Sequence, residues 1–280
     1  MLAVLRLIAR IPLPQLHAIG MLLGWLVYGL SPRYRSRMKD NLYASGLCAD
    51  DAARRSLLRQ AIAEAGRAAI EIIAVWFGSD AAVSGLVTCD DWTVVEQAQR
   101  AGRGIIFLTP HLGCFEISSL YGAQRLSITV LYRQPKLRWL EPLMAAGRQR
   151  WRATLAPANL RGVRMLYRAL QRGESVGLLP DQAPGLGEGV WANFFGRQAY
   201  TMTLAQRLQG ATGAAVIMAF AERLSAGRGF RLHLMPLKAE DLEAAALNAA
   251  VERIVRRCPA QYLWSYNRYK IPAGARRPEF

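Results

Sequence analysis

The chain has 280 residues, 52% of them hydrophobic, which is enough to bury a large core and sits at the upper limit of what one α/β domain usually holds. Lys and Arg number 36 against 20 Asp and Glu, a formal net charge of +16 that directs attention to anionic partners, with a solvated soluble surface as the plainer alternative. Nucleic acid ranks last among those partners, because the basic residues are spread along the chain without an RRM-type aromatic motif or a Cys/His finger spacing; Cys48, Cys89, Cys114 and Cys258 lack any CxxC pair, which argues against a disulfide framework or a zinc site.

The first element is an apolar run from Leu16 to Leu30, preceded by Pro12 and Pro14 and followed by Ser31-Pro32 and then Arg33, Arg35, Arg37 and Lys39. The run is shorter than the roughly 20 residues of a spanning helix, and it lacks the small-residue cleavage site of a signal peptide. It reads as a retained anchor over residues 1–40, its basic flank held to anionic headgroups on the cytoplasmic side, ahead of a catalytic domain over 41–280. A buried first helix of a globular domain is the competing reading. Residues Asp50 to Phe77 follow as a long helix, with Leu57, Leu58, Ala61, Ile62, Ala65, Ala69, Ile72, Ile73 and Trp76 at three- and four-residue spacing.

Past Gly78 and Ser79, Asp91 to Gln99 reads as a helix, and Gly102 to Gly104 turns the chain into Ile105-Ile106-Phe107-Leu108, a buried strand. Further strands are expected near Ser127–Tyr132, Ser175–Leu179, Ala215–Phe220 and Phe230–Met235. Helices are expected over Ile117–Gln124, Leu137–Trp151, Arg161–Gln171, Met202–Gln209 and Ala239–Arg257. The alternation predicts an α/β fold with a mostly parallel central sheet flanked by helices, and an N-terminal helical membrane anchor. The loop Pro184 to Gly189 is the long flexible candidate, in the position after a strand where such sheets hold ligands.

Of three histidines, His17 lies in the apolar N-terminal segment and His233 in an expected strand, which leaves His111 in a chemically suggestive setting. His111 and Glu116 are five residues apart, and on a regular helix they would stand roughly 140° apart around the axis. Pro110 ends the strand and Gly113 permits an unusual backbone angle, so His111 is expected in the turn and Glu116 in the first turn of the next helix. The Glu116 carboxylate is then expected to reach back to one imidazole nitrogen, leaving the other to take a proton from an alcohol. The helix N-terminus offers N–H groups for a phosphate or a developing oxyanion. As a bare pattern the spacing is weak; the order strand, Pro, His, Gly, Glu, helix strengthens it.

The segment Leu108-Thr109-Pro110-His111-Leu112-Gly113-Cys114-Phe115-Glu116 resembles the H-x-x-x-x-D/E box of glycerolipid acyltransferases. In its Glu form it looks like the late acyltransferases of lipid A biosynthesis, the lauroyl and myristoyl transferases. Further segments carry the resemblance in the same order: Leu131-Tyr132-Arg133, Ala146 to Arg150, Leu179-Pro180-Asp181-Gln182, Asn193 to Gly196, and Tyr262-Leu263-Trp264 to Arg268-Tyr269-Lys270. It covers about the whole chain.

The resemblance implies an O-acyltransferase at the cell inner membrane, its active site facing the cytoplasm. Its donor would be a fatty acyl thioester on acyl carrier protein and its acceptor a hydroxyl of a phosphorylated lipid A precursor; no cofactor or metal is implied. It makes His111 the general base and Glu116 its orienting partner, and it matches Arg148 to the family's arginine, which would support the thioester oxygen or a phosphate. An Arg suits that task through its planar fork, although a solvated helix residue is an equal reading of Arg148 from sequence. Arg133, Arg150 and Arg164 are lesser candidates for the same anionic cargo. Asp181, after a strand, is a substrate-binding candidate or a turn cap. Phe194 and Phe195 read as an acyl groove or as core, and Tyr262, Trp264, Tyr266 and Tyr269 as core or as residues at the membrane interface. Phe115 stands where family members often have Trp, and Cys114 where Asn is common; Cys114 raises a Cys-His acyl-enzyme as a further route, disfavoured because His111 is expected to be committed to Glu116. Two other functions compete: an O-acyltransferase for a lysophospholipid, an ornithine lipid or another glycolipid, and a non-catalytic basic protein that docks on membranes.

Overall fold

The computed structural model of the chain describes residues 1–135 and 137–276. Four helices open it: α1 (Leu2–Ile8), α2 (Leu13–Leu30), α3 (Pro32–Tyr43) and α4 (Asp51–Phe77). Proline sets the boundaries of α2 and α3, since it fits a first helical turn where the N–H has no intrahelical partner. Ser31 and Asp50 cap α3 and α4, the Asp50 carboxylate accepting from the Ala53 amide at 2.7 Å. The division expected at residue 40 falls inside α3, whose Met38 and Leu42 enter the same core as Leu58 and Ile62 of α4. The N-terminal segment therefore packs as part of the body that carries the sheet.

The remaining elements are α5 (Asp80–Gly85), β1 (Val87–Thr88), α6 (Thr93–Arg100), β2 (Ile105–Leu108), α7 (Phe115–Ala123), β3 (Ile128–Tyr132), α8 (Glu141–Arg148), β4 (Ala153–Pro157), α9 (Leu160–Gln171), β5 (Ser175–Leu178), β6 (Gly189–Phe194), β7 (Arg197–Met202), α10 (Leu204–Thr212), β8 (Ala215–Arg223), β9 (Phe230–Leu237) and α11 (Ala244–Val255). Among the described residues, seven strands form one sheet in the order β1-β9-β8-β2-β5-β3-β4, parallel throughout except where β8 meets β9. The fold is thus α/β with a mostly parallel central sheet, as the alternation of elements implies.

Strand β2 sits at the centre and shows why its four large residues form a strand. Ile105 and Phe107 pack into one apolar layer with Ile117 and Leu120 of α7; Ile106 and Leu108 pack into the other with Leu166 and Leu170 of α9. A strand covered by helices on both faces needs apolar side chains in both directions.

Several boundaries differ from those expected. The helix expected over Leu137–Trp151 reaches only Arg148: Trp151 takes a positive φ of 52°, which a helix cannot continue through, and the edge strand β4 follows. Met202, expected in a helix, ends β7 instead. Strands β6 and β7 make a separate antiparallel hairpin whose turn residues Phe195 and Gly196 both have positive φ, at 46° and 73°. Phe194 and Phe195 are both core, 1% and 3% exposed.

Candidate active site

Strands β2, β5 and β3 are parallel neighbours, so their C-terminal ends open on one edge of the sheet, where such folds hold ligands. A cavity of about 220 Å³ lies at that edge, and His111, Phe115, Glu116, Arg133, Arg148 and Leu179 are among the residues that line it. Val130, Leu131, Met144, Leu155 and Gly177 give it an apolar wall.

The turn between β2 and α7 is anchored on three sides. The Gly113 amide donates to the Gln261 carbonyl at 3.1 Å and the Cys114 amide to the Ala221 carbonyl at 2.8 Å, while the Leu263 amide donates to the His111 carbonyl at 2.9 Å. Gly113 has φ +61°, and a Cβ there would stand 2.0 Å from the Ala221 carbonyl oxygen, so no other residue fits. The amides of Gly113 and Cys114, just ahead of α7, are thus engaged by protein carbonyls.

His111 is 8% exposed, and its carboxylate partner is not the one expected. Its Nδ1 lies 2.9 Å from Asp181 Oδ1, and its backbone amide donates to Asp181 Oδ2 at 3.0 Å. Burial alone would raise the Asp181 pKa; the His111 charge, both His111 hydrogen bonds and the Arg268 charge outweigh it and hold the carboxyl below its ordinary value. Asp181 is therefore ionised and acceptor-only, so in the neutral imidazole the proton sits on Nδ1 and Nε2 is the acceptor nitrogen. Tyr266 stacks on the imidazole with centroids 5.3 Å apart and planes 15° from parallel, and Phe115 meets its edge at 4.9 Å. The Tyr266 hydroxyl accepts from the Ala183 amide at 3.0 Å, which ties the ring to the segment after Asp181.

Glu116 is committed elsewhere, which corrects the His111/Glu116 pairing expected from the motif. It stands in the first turn of α7, and its carboxylate accepts a two-pronged contact from Arg148, with Nε at 2.9 Å from Oε2 and Nη2 on Oε1. The Trp76 indole N–H also donates to Oε2, at 3.1 Å, and Trp76 lies under the guanidinium at 5.3 Å. The pair is nearly buried, its side chains 19% and 5% exposed. Arg148 thus reaches the cavity as a cation fixed in orientation by Glu116 and Trp76.

The other expected residues separate. Arg133 is exposed at the cavity mouth. Arg150 turns away: it donates to the Val75, Trp76 and Gly78 carbonyls at 3.0, 3.2 and 2.9 Å and to Asp80, so it closes the C-terminal end of α4. Arg164 is exposed on α9, beside Tyr167 and Arg207 rather than at this cavity. Cys114 is 2% exposed; burial, and then the neighbouring Glu71 charge, push its thiol well above the ordinary range, so it is no nucleophile at neutral pH. Sequence reasoning missed Trp76 and Tyr266 as parts of this site. The available signal for Tyr266 was its place in an aromatic-rich run; Trp76 gave none beyond its helical phase.

The family model described as bacterial lipid A biosynthesis acyltransferase matches residues 1–271. The chain is 27% identical over 284 residues to the lipid A biosynthesis palmitoleoyltransferase of Escherichia coli, covering 98% of this chain and 91% of that protein. It is 25% identical over 289 residues to the lipid A biosynthesis lauroyltransferase of the same organism, and 26% over 295 residues to a lipid A biosynthesis acyltransferase of Haemophilus influenzae; each alignment covers 99% of this chain and 91% of the relative.

Proposed function

The chain belongs to the bacterial lipid A biosynthesis acyltransferases, and from that premise we propose that it moves a fatty acyl chain from an acyl carrier protein thioester to a hydroxyl of a lipid A precursor at the inner membrane, with its site open to the cytoplasm. The observation that carries the reading is His111, lining a cavity with an apolar wall, with Nδ1 committed to Asp181 and Nε2 left basic.

In this reading Nε2 takes the proton of the acceptor hydroxyl as its oxygen bonds to the thioester carbonyl carbon. The tetrahedral intermediate then expels the thiolate, the C–S bond breaks, and the imidazolium returns its proton to sulfur. General-base assistance of this kind contributes roughly 10²–10⁴-fold. Asp181 holds the tautomer and balances the imidazolium. Arg148, oriented by Glu116, supplies positive charge to the carbonyl oxygen or to a substrate phosphate, and Arg133 adds a second cation at the mouth. The apolar wall of Val130, Leu155 and Gly177 receives the acyl chain.

The test incubates purified protein with acyl carrier proteins bearing chains of different length and with tetra- or penta-acylated precursor, then weighs the products by mass spectrometry. The reading expects one product heavier by one acyl group. Folded protein that gives no mass gain with any pair overturns it.

A further inference from the structure

Helix α2 has two faces. Leu13, Leu16, His17, Gly20 and Gly24 are buried, at the i, i+3, i+4 spacing of one helical stripe. Ile19, Leu22, Leu23, Leu26 and Leu30 point outward, between 43% and 75% exposed. The buried stripe lies on α4 at close range. A Cβ on Gly66 would stand 2.0 Å from the Gly20 carbonyl oxygen and 2.8 Å from the Gly24 backbone, so the two backbones touch where each presents only hydrogen. Beside this crossing, His17 Nε2 lies 3.1 Å from Glu71, and Glu71 is also held by Arg223 at the end of β8, through Nε at 2.6 Å and Nη2 at 2.5 Å.

A helix bound in this way cannot cross a bilayer without its partner. Its 18 residues span about 27 Å, against roughly 30 Å of hydrocarbon, and α4 would be carried in beside it. Helix α4 bears Arg59, Glu64, Arg67 and Glu71 along the stretch that meets α2, and charged side chains are strongly disfavoured at the bilayer centre. The outward face carries no charge, and Met1 and, on α1, Val4 and Leu7 are exposed as well. Exposed basic residues stand at both ends of α2: Arg6 and Arg10 before it, Arg33 and Lys39 after it.

We propose that α1 and α2 form a monotopic membrane surface: α2 stays docked on α4 while its outward leucines and the apolar side of α1 sink into one leaflet of an anionic bilayer, without crossing it. The flanking basic residues meet the headgroups, where an anionic surface attracts each of them. The inference stands apart from the proposed chemistry, because turnover on detergent-dispersed lipid needs no inserted helix.

The test has two arms. In membrane vesicles of known sidedness, protease-cleavable tags ahead of Met1 and after Phe280 are both cut from the same side; cutting from opposite sides overturns the proposal. In flotation with phosphatidylglycerol vesicles, the full chain floats and L22D/L26D loses about tenfold or more of its bound fraction with an unchanged melting temperature, since both side chains are outside the core. A full chain that fails to float, or a double variant that floats as well as the parent, also overturns it. An unchanged rate on detergent-dispersed lipid in the double variant separates membrane docking from the acyl-transfer reading.

Discussion

His111 and Asp181 each stand three residues beyond a matched pair of parallel neighbours, Leu108 of β2 and Leu178 of β5, and the imidazole Nδ1 meets the carboxylate at 2.9 Å. The equal offset is the reason they meet: two adjacent parallel strands that leave the sheet in register deliver their following residues to the same edge. The imidazole and the carboxylate that orients it are thus brought together by the sheet rather than by one local motif.

Replacing Asp181 by Asn keeps the shape but lets the amide bond Nδ1 in the wrong tautomer. The expected result is a loss of turnover of about 10³–10⁴-fold with little change in substrate KM. Steady-state rates on acyl carrier protein thioesters check it; a D181N enzyme within tenfold of the parent would remove Asp181 from the mechanism.

Glu116 and Arg148 act as one unit. Arg148→Lys loses the two-pronged contact and Glu116→Gln loses the charge that fixes the guanidinium, so each lowers turnover by about 10–100-fold, the worth of a charged hydrogen bond. A double-mutant cycle on unfolding free energy gives a coupling of about 1–3 kcal/mol for Glu116 with Arg148, and likewise for His111 with Asp181. A large His111–Glu116 coupling in place of these two would restore the pairing that the motif alone suggests.

Narrowing the apolar wall shifts chain-length preference. A Cβ on Gly177 would lie 3.3 Å from Val130 Cγ2 and 3.7 Å from Ile128 Cδ1, so Gly177→Leu crowds the cavity wall beside Val130. Competition among acyl carrier proteins of graded chain length is expected to move toward shorter chains, with the shortest donor turned over nearly as before. An unchanged ranking in folded G177L would place the chain elsewhere.

Stability falls on the acid side. Asp181 and Glu71 are both buried, and in each the opposing charges and hydrogen bonds outweigh burial and hold the pKa below its ordinary value; for Glu71 the Arg223 guanidinium is the main counterweight. A depressed folded-state pKa contributes stability that is present above the ordinary carboxylate range and lost as pH falls through the depressed value. Melting temperature is therefore expected to drop as pH falls below about 4. E71Q, which leaves Arg223 buried without its main counter-charge, costs about 3–5 kcal/mol at neutral pH and flattens the acid limb. An E71Q acid limb as steep as the parent's would assign the loss to other groups.

Cys114→Ala leaves turnover within about tenfold, because a buried thiol with a raised pKa forms no acyl-enzyme. Mass spectrometry of the parent enzyme mixed with acyl donor alone should find no covalent acyl adduct at this residue.

The sequence by itself determined the α/β class, the long helix α4, the central buried strand and the turn that carries His111, because these rest on local periodicity, on Pro110, which restricts its own backbone, and on Gly113, which permits the positive φ of the turn. Whole-chain similarity fixed the family. Which carboxylate holds His111 was decided only by tertiary structure: the residues lie 70 positions apart and meet through the β2–β5 register, which no local spacing encodes. The same holds for Glu116, which the start of α7 turns toward Trp76 and Arg148, and for Arg150, which the end of α4 claims. Side chains of one type are interchangeable in a linear reading, and the packing of α4, α7 and α8 around the sheet edge assigns each its partner.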